Sequence, residues 1–219
     1  GTAGGLDRLA AAILDVTRVP LPAELTPSGK PLRVRALTES ADGMVWVGTD
    51  AGLGHYDPRS GRWRVYREGT GLPDSRVQAL LLDSQGRLWV GLIRGLAWFD
   101  SATETFSTYQ ADDADSRSLP DDYIVSLFED RGGSLWIGTK TGGLAKWNPR
   151  TWSFGHTRAS AEEGFTDRNI TSFAEDKHGR LWIGTFGAGI NLLDRSTSRV
   201  TTVRHLDGVR GSLSDDRVM

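Results

Sequence analysis

An all-β fold built from one recurring four-stranded unit is predicted by three features of this 219-residue chain. First, the order Gly, any residue, apolar, Trp, aliphatic, Gly returns four times, at residues 43–48, 86–91, 133–138 and 179–184. Second, the tryptophans Trp46, Trp89, Trp136 and Trp182 stand 43, 47 and 46 residues apart, a period that marks a repeat architecture. Third, β-branched and aromatic runs bounded by Asp and Gly turns fit four short strands into each period. Four short strands per repeat is the pattern of a β-propeller blade. A β-sandwich would not return the same Trp, the same turn and the same Gly-Thr in phase.

The third copy shows the elements in order. Residues 124–128 form a first strand, and Asp130 to Gly133 turn the chain, Asp at the turn's first position and Gly at its left-handed close. Residues 134–139 form the second strand, and Thr141 to Gly143 the next turn. Leu144 to Trp147 is a third strand, stopped by Asn148-Pro149-Arg150, and Trp152-Ser-Phe154 opens a fourth. Asp83 to Gly86 and Asp176 to Gly179 repeat the first turn, and Asp57-Pro58 and Asp194-Arg195 the last. A blade covered on both faces needs no clean polar alternation, as in Leu88-Trp89-Val90. Each Trp is expected to bury roughly 150–250 Å² against the next blade. The Gly two places later has no Cβ and suits close approach between blades.

The predicted layout is a partial blade with a Pro-rich lead-in over 1–31 (Pro20, Pro22, Pro27, Pro31), blades over 32–73, 74–120, 121–166 and 167–214, and the start of another over 215–219. Gly1 to Leu6 has the spacing of Gly48 to Leu53, so the chain is expected to open inside a blade. A helix through Leu6, Leu9, Ala10, Ile13 and Leu14 is the rival reading. Strand edges at the two ends predict self-association.

Composition narrows the function classes. There is no cysteine, so disulfide frameworks and thiolate metal sites are excluded. The net charge of −2 with mixed signs gives no basic footprint for nucleic acid. The longest apolar runs, such as Val77 to Leu82, fall far short of the ~20 residues that span a bilayer, so this segment is expected to make no membrane contact.

The string Asp-x-x-Gly-x-Leu-Trp-Ile-Gly-Thr, followed by Gly-Leu and ending in an aromatic residue with Asp or Asn, closely resembles the two-component regulator propeller repeat. Residues 130–148 and 176–194 carry it best, and the resemblance covers 32–219 well and 1–10 weakly. Ser40 departs from it in place of the turn Asp, Leu92 in place of Thr and Ile190 in place of Leu, which leaves local hydrogen bonds open. The resemblance implies the extracytoplasmic, periplasmic sensor region of a membrane-anchored bacterial receptor. Such receptors continue into a β-sandwich, a membrane helix and a histidine kinase or diguanylate cyclase.

Positions that vary between copies are free to serve function. Asp74, Asp121, Asp167 and Asp215 each stand three residues before a first-strand aliphatic residue. They are read as bonding their own turn backbone, with a Ca²⁺ ring as the alternative. The residues after them vary and include Arg76, Tyr123, Arg168, Asn169 and Arg217. The turns after the Gly-Thr positions add Asp50, Arg94, Lys140 and Phe186 on the same predicted rim. Arg, Tyr, Asn and Phe at a concave mouth suit a small anionic or sugar-like ligand; ordinary solvated loops are the plainer alternative. No metal and no cofactor is expected.

Catalysis has little support. His55, His156, His178 and His205 fall at unrelated points of the repeat. Asp112, Asp113, Asp115, Glu162 and Glu163 read as solvated charge, and the glycine-rich 184–189 segment recurs as a blade turn. Trp63, Trp98 and Trp152 could stack on sugars. The leading expectation is a non-catalytic sensory propeller segment, followed by a protein-interaction propeller, then a propeller lyase or glycan-degrading enzyme.

Overall fold

The computed structural model describes residues 5–10, 15–26, 32–149, 153–157 and 165–219, with backbone alone at 9, 10 and 15. The expectations placed on residues 1–4, Ile13, Leu14, Pro27, Pro31, Arg150, Trp152, Glu162 and Glu163 lie outside the described residues.

The first strands are β1 (Leu6–Ala10) and β2 (Asp15–Val19), paired antiparallel with Leu6 opposite Val19. The strand reading of this segment therefore holds over the helical one. Packing decides it, because Leu6 and Val19 are buried together against Val47 with Tyr56 and Trp63 alongside.

Four antiparallel meanders follow, each a four-stranded sheet in chain order. They are β3 (Val34–Glu39), β4 (Val45–Thr49), β5 (Leu53–Tyr56) and β6 (Trp63–Tyr66); then β7 (Val77–Leu82), β8 (Leu88–Leu92), β9 (Gly95–Asp100) and β10 (Thr105–Tyr109). The third sheet is β11 (Ile124–Glu129), β12 (Leu135–Thr139), β13 (Leu144–Asn148) and β14 (Ser153–Thr157). The fourth is β15 (Ile170–Glu175), β16 (Leu181–Thr185), β17 (Ile190–Asp194) and β18 (Arg199–Val203). The chain is an all-β propeller fragment made of these blades, divided into two compact units, Gly1–Thr108 and Tyr109–Met219.

One carboxylate organises each turn before the tryptophan strand. Asp130 Oδ1 accepts from the backbone N–H groups of Gly132 and Ser134, both at 2.9 Å, and Oδ2 accepts from the Trp136 indole at 2.8 Å. Asp83 holds Trp89 in the same way at 2.9 Å, and Asp176 holds Trp182 at 3.2 Å. The Asp-to-Trp spacing of six residues is thus a single hydrogen-bonded device. In the first blade Ser40 breaks it: its hydroxyl donates to Asp42, and Asp42 takes over the turn by accepting from Met44 N–H at 3.1 Å.

The tryptophans sit in the core as expected, with Trp46, Trp89 and Trp136 buried. Trp182 is half-buried. The glycine two residues later is where the next blade comes close. A Cβ on Gly48 would lie 2.5 Å from Val77, one on Gly138 2.8 Å from both Ile170 Cγ2 and its carbonyl oxygen, and one on Gly184 2.9 Å from Val218. Thr49, Thr139 and Thr185 close the following turn by donating to the carbonyls of Gly52, Gly143 and Gly189 at 2.8, 2.8 and 2.9 Å. Leu92 cannot, and its strand instead pairs straight through a tight hairpin, Leu92 opposite Gly95.

Candidate functional site

The side chains at the predicted rim are held by the carboxylates that precede them. Asp74, Asp121, Asp167 and Asp215 accept through Oδ1 from the N–H groups of Arg76, Tyr123, Asn169 and Arg217, at 2.7, 3.0, 3.0 and 2.7 Å. The second oxygen reaches further. Asp121 Oδ2 accepts from Thr141 N–H and hydroxyl, both at 2.6 Å, and Asp167 Oδ2 from Gly187 N–H at 3.0 Å. Each of these two carboxylates therefore ties its blade's entrance to the turn after the tryptophan strand, which is the structural role expected of them. Among the described residues no group of three or more His, Asp or Glu side chains comes together as a metal site.

Asp74 spends its second oxygen on Arg76, whose Nη2 donates at 2.5 Å. Burial pushes the Asp74 carboxyl up, but this guanidinium and the Arg76 N–H outweigh burial and hold it below the ordinary carboxylate range. Arg94 lies on the same blade, 3.9 Å from Glu68. In the first unit Asp50 is bonded to Arg33 twice: Asp50 N–H donates to the Arg33 carbonyl at 3.3 Å, and Asp50 Oδ1 accepts from Arg33 N–H at 3.2 Å. Arg33 stands one residue before Val34, as Arg76 stands before Val77. It belongs to the rim set, and that offset was the signal for it; the Pro-rich lead-in, which has no Asp, obscured it.

In the second unit the predicted residues form cation–aromatic pairs. Lys140 N–H donates to the Tyr123 carbonyl at 2.9 Å, and Lys140 Nζ stands 4.6 Å from the centre of the Tyr123 ring. Phe186 N–H donates to the Asn169 carbonyl at 3.1 Å, and the Arg217 guanidinium lies 5.8 Å from the Phe186 ring. Phe186 is 48 % exposed, high for a large apolar side chain, and Arg168 is exposed beside Asn169. Backbone bonds link neighbouring blades on this face, from Gly143 N–H to the Arg168 carbonyl at 3.1 Å and from Gly189 N–H to the Asp216 carbonyl at 2.8 Å. Lys140, Tyr123, Arg168, Asn169, Phe186 and Arg217 thus belong to one hydrogen-bonded framework. Arg76, Arg94 and Asp50 lie in the first unit, each with its own partner: Asp74, Glu68 and Arg33.

The other candidates separate from the rim. Trp63 is half-buried with its ring 4.5 Å from Tyr56, and Trp98 lies opposite Trp89 across β8 and β9. His55 stacks on Trp46 with ring centres 3.8 Å apart and planes 8° apart. Burial, its largest influence, pushes the His55 imidazole below its ordinary pKa and favours the neutral form. No helix of the described residues is long and apolar enough to cross a membrane.

Known proteins share both the repeat and the fold. Residues 71–94, 118–141 and 164–187 match the model of the two component regulator propeller. Each match runs from just before the rim carboxylate to the turn that bears the second rim residue. The first blade, with Ser40 and its Pro-rich entrance, lies outside the matches. A search of the curated proteins finds no match. Among solved structures, the chain is similar to the extracellular domain of a protein described as a hybrid two component system from B. thetaiotaomicron. The two are 22% identical with a TM-score of 0.70 over 78% of this chain and 24% of that one. A second B. thetaiotaomicron extracellular domain, described as from a one component system, is 23% identical with a TM-score of 0.68, over 82% and 26%. Virginiamycin B lyase from Staphylococcus aureus is 16% identical with a TM-score of 0.71, over 93% and 64%. At these identities the likeness carries the fold. The chain spans about a quarter of the length of the two extracellular domains, at 24% and 26%. With the same turn, Trp strand and closing turn matched three times over, residues 71–94, 118–141 and 164–187 are three repeats of the two component regulator propeller.

Proposed function

We propose that this chain is a sensory, ligand-binding propeller segment of a membrane-anchored bacterial signalling receptor, acting outside the cytoplasm and non-catalytic in itself. The repeat family and the likeness to extracellular domains of two-component systems support the location and the receptor role. The observation that carries ligand binding is the cationic, aromatic rim: Lys140 over Tyr123 and Arg217 over Phe186, on loops pinned by Asp121 and Asp167. Pinned loops present these groups with little ordering cost on binding. Cations beside ring faces suit a small anionic or sugar-like ligand, whose charge the guanidinium and ammonium groups meet and whose ring the aromatic faces cover. The parent's output, a histidine kinase or a diguanylate cyclase, would lie outside this chain, and strand edges such as that of β1–β2 would support self-association, which light scattering at rising concentration tests.

The ligand test starts with a thermal-shift screen of neutral and acidic mono- and disaccharides on this chain. For any hit, Tyr123→Ala and Arg217→Ala are each expected to weaken the affinity at least tenfold in calorimetric titration. Affinity unchanged in both Tyr123→Ala and Arg217→Ala would remove the rim as the site.

A further inference from the structure

Equivalent crevices between neighbouring blades are filled differently in the two units. In the second unit, Arg195 of the β17–β18 turn enters the crevice beside Trp136. Its two terminal nitrogens pair with Asp130 and Glu175, whose side chains are 1% and 5% exposed, and its Nε donates to the Gly179 carbonyl at 2.8 Å. The arginine is a plug held by carboxylates on both sides.

In the first unit all three members of that plug are replaced together. Ser40 stands where Asp130 stands, Leu82 where Glu175 stands, and Ser101 where Arg195 stands, each at the same offset from its strand. The result is a cavity of 330 Å³ between the first two blades, lined by these three residues with Trp46, Leu88 and Phe99. That volume is in the range of small-molecule pockets. Two features restrict what fits. The hydrogen bond that Asp83, Asp130 and Asp176 accept from their tryptophans has no counterpart at Trp46 among the described residues, where Ser40, its hydroxyl donating to Asp42, stands in place of the carboxylate. The indole N–H is thus open to an acceptor carried by a molecule in the cavity that Trp46 lines. Asp42 also lines the cavity; its hydrogen bonds from Ser40 and from the Met44 N–H hold its carboxyl below the ordinary carboxylate range, and a nearby carboxylate repels anions.

We propose that this crevice is a second ligand site, distinct from the rim, for a small neutral and mostly apolar molecule carrying one carbonyl or ether oxygen. The oxygen accepts from Trp46 Nε1, and the apolar body packs on Leu82, Leu88 and Phe99. The reading does not rest on the rim, which lies at the other end of the strands, beyond Gly48 and the Thr49 turn.

Three probes of equal shape test it: acetophenone, which has the acceptor; ethylbenzene, which lacks it; and benzoate, which carries a negative charge. The readout is the indole N–H resonance of Trp46 in a ¹H–¹⁵N spectrum of this chain, assigned through Trp46→Phe. Acetophenone is expected to shift that resonance saturably, with affinity at least tenfold above both other probes. The variant S40D/L82E/S101R restores the plug found in the second unit and is expected to abolish the shift. Ser101→Phe, which fills the mouth without burying charge, is expected to weaken binding at least tenfold and serves if the triple variant does not fold. No saturable shift with acetophenone, equal affinity for ethylbenzene or benzoate, or binding unchanged by the filling variants overturns the site.

Discussion

Asp130 shows how much one side chain does in this protein. Its two oxygens close a turn, hold the Trp136 indole and receive Arg195 from the next blade. Burial pushes its carboxyl up, but the indole, the Ser134 N–H and the Arg195 charge outweigh that and leave it below the ordinary value of 3.8. Removing one partner of a buried pair is more damaging than never having had the pair, because the other charge stays uncompensated. Asp130→Ala is therefore expected to lower the unfolding free energy by about 3 kcal/mol in urea titrations near neutral pH. The sign of the pH dependence follows from the direction of the shift. A carboxyl whose folded pKa is depressed stabilises the fold above its unfolded pKa, and that contribution is lost as pH falls through the folded value. The difference between wild type and Asp130→Ala should thus be constant above about pH 5 and shrink below 3.8. A difference that grows with acid would mean that Asp130 is not ionised in the folded chain.

At the scale of strands and turns, two kinds of glycine do different work and should fail differently. Gly138 has ordinary backbone angles, but an added methyl would meet Ser126 Oγ and would lie 2.8 Å from the Ile170 carbonyl of the next blade. Backbone cannot yield as a flexible side-chain end can, so Gly138→Ala is expected to cost about 1–3 kcal/mol by overpacking. Gly86 faces open space, yet its φ of +77° lies in the left-handed region. Gly86→Ala should cost about 1–2 kcal/mol through backbone strain alone, with no change in packing between blades. Urea midpoints give both costs. The two separate by rescue: Ser126→Ala removes the hydroxyl oxygen nearest to an added Gly138 methyl and, measured against Ser126→Ala alone, should recover part of the first loss and none of the second. The period made these glycines legible before any coordinates, since every copy repeats them in phase with its Trp. The carboxylates at the blade entrances were legible for the same reason. The plug of Asp130, Glu175 and Arg195 was not, because its members come from two blades at three different places in the period. The cavity beside Trp46 was hidden for a related reason: it arises from three substitutions that look unconnected along the chain. At the rim, sequence named the residues but not their pairing, since Lys140 reaches Tyr123 only after β11 and β12 have been brought into register.

For the molecule as a whole, the contacts described within each unit are those of a repeat array: neighbouring blades meet at a glycine, Gly48 against Val77 and Gly138 against Ile170, and in the second unit also through the Gly143–Arg168 backbone bond and the Arg195 plug. In such arrays stability is close to a sum of repeat and nearest-neighbour terms, so a lesion at one interface acts locally. Arg195→Ala removes the cation that serves both Asp130 and Glu175, and its bond to the Gly179 carbonyl, without cutting any bond between backbone groups. Hydrogen exchange read by mass spectrometry should therefore show protection falling in β11–β13 and β15–β17 while β3–β5 and β7–β9 keep theirs. Local opening costs less than global unfolding, and exchange separates the two directly. Protection lost equally from all four sheets would mean that the chain opens as one cooperative body, in which case interface terms between blades dominate and no blade has a stability of its own to lose.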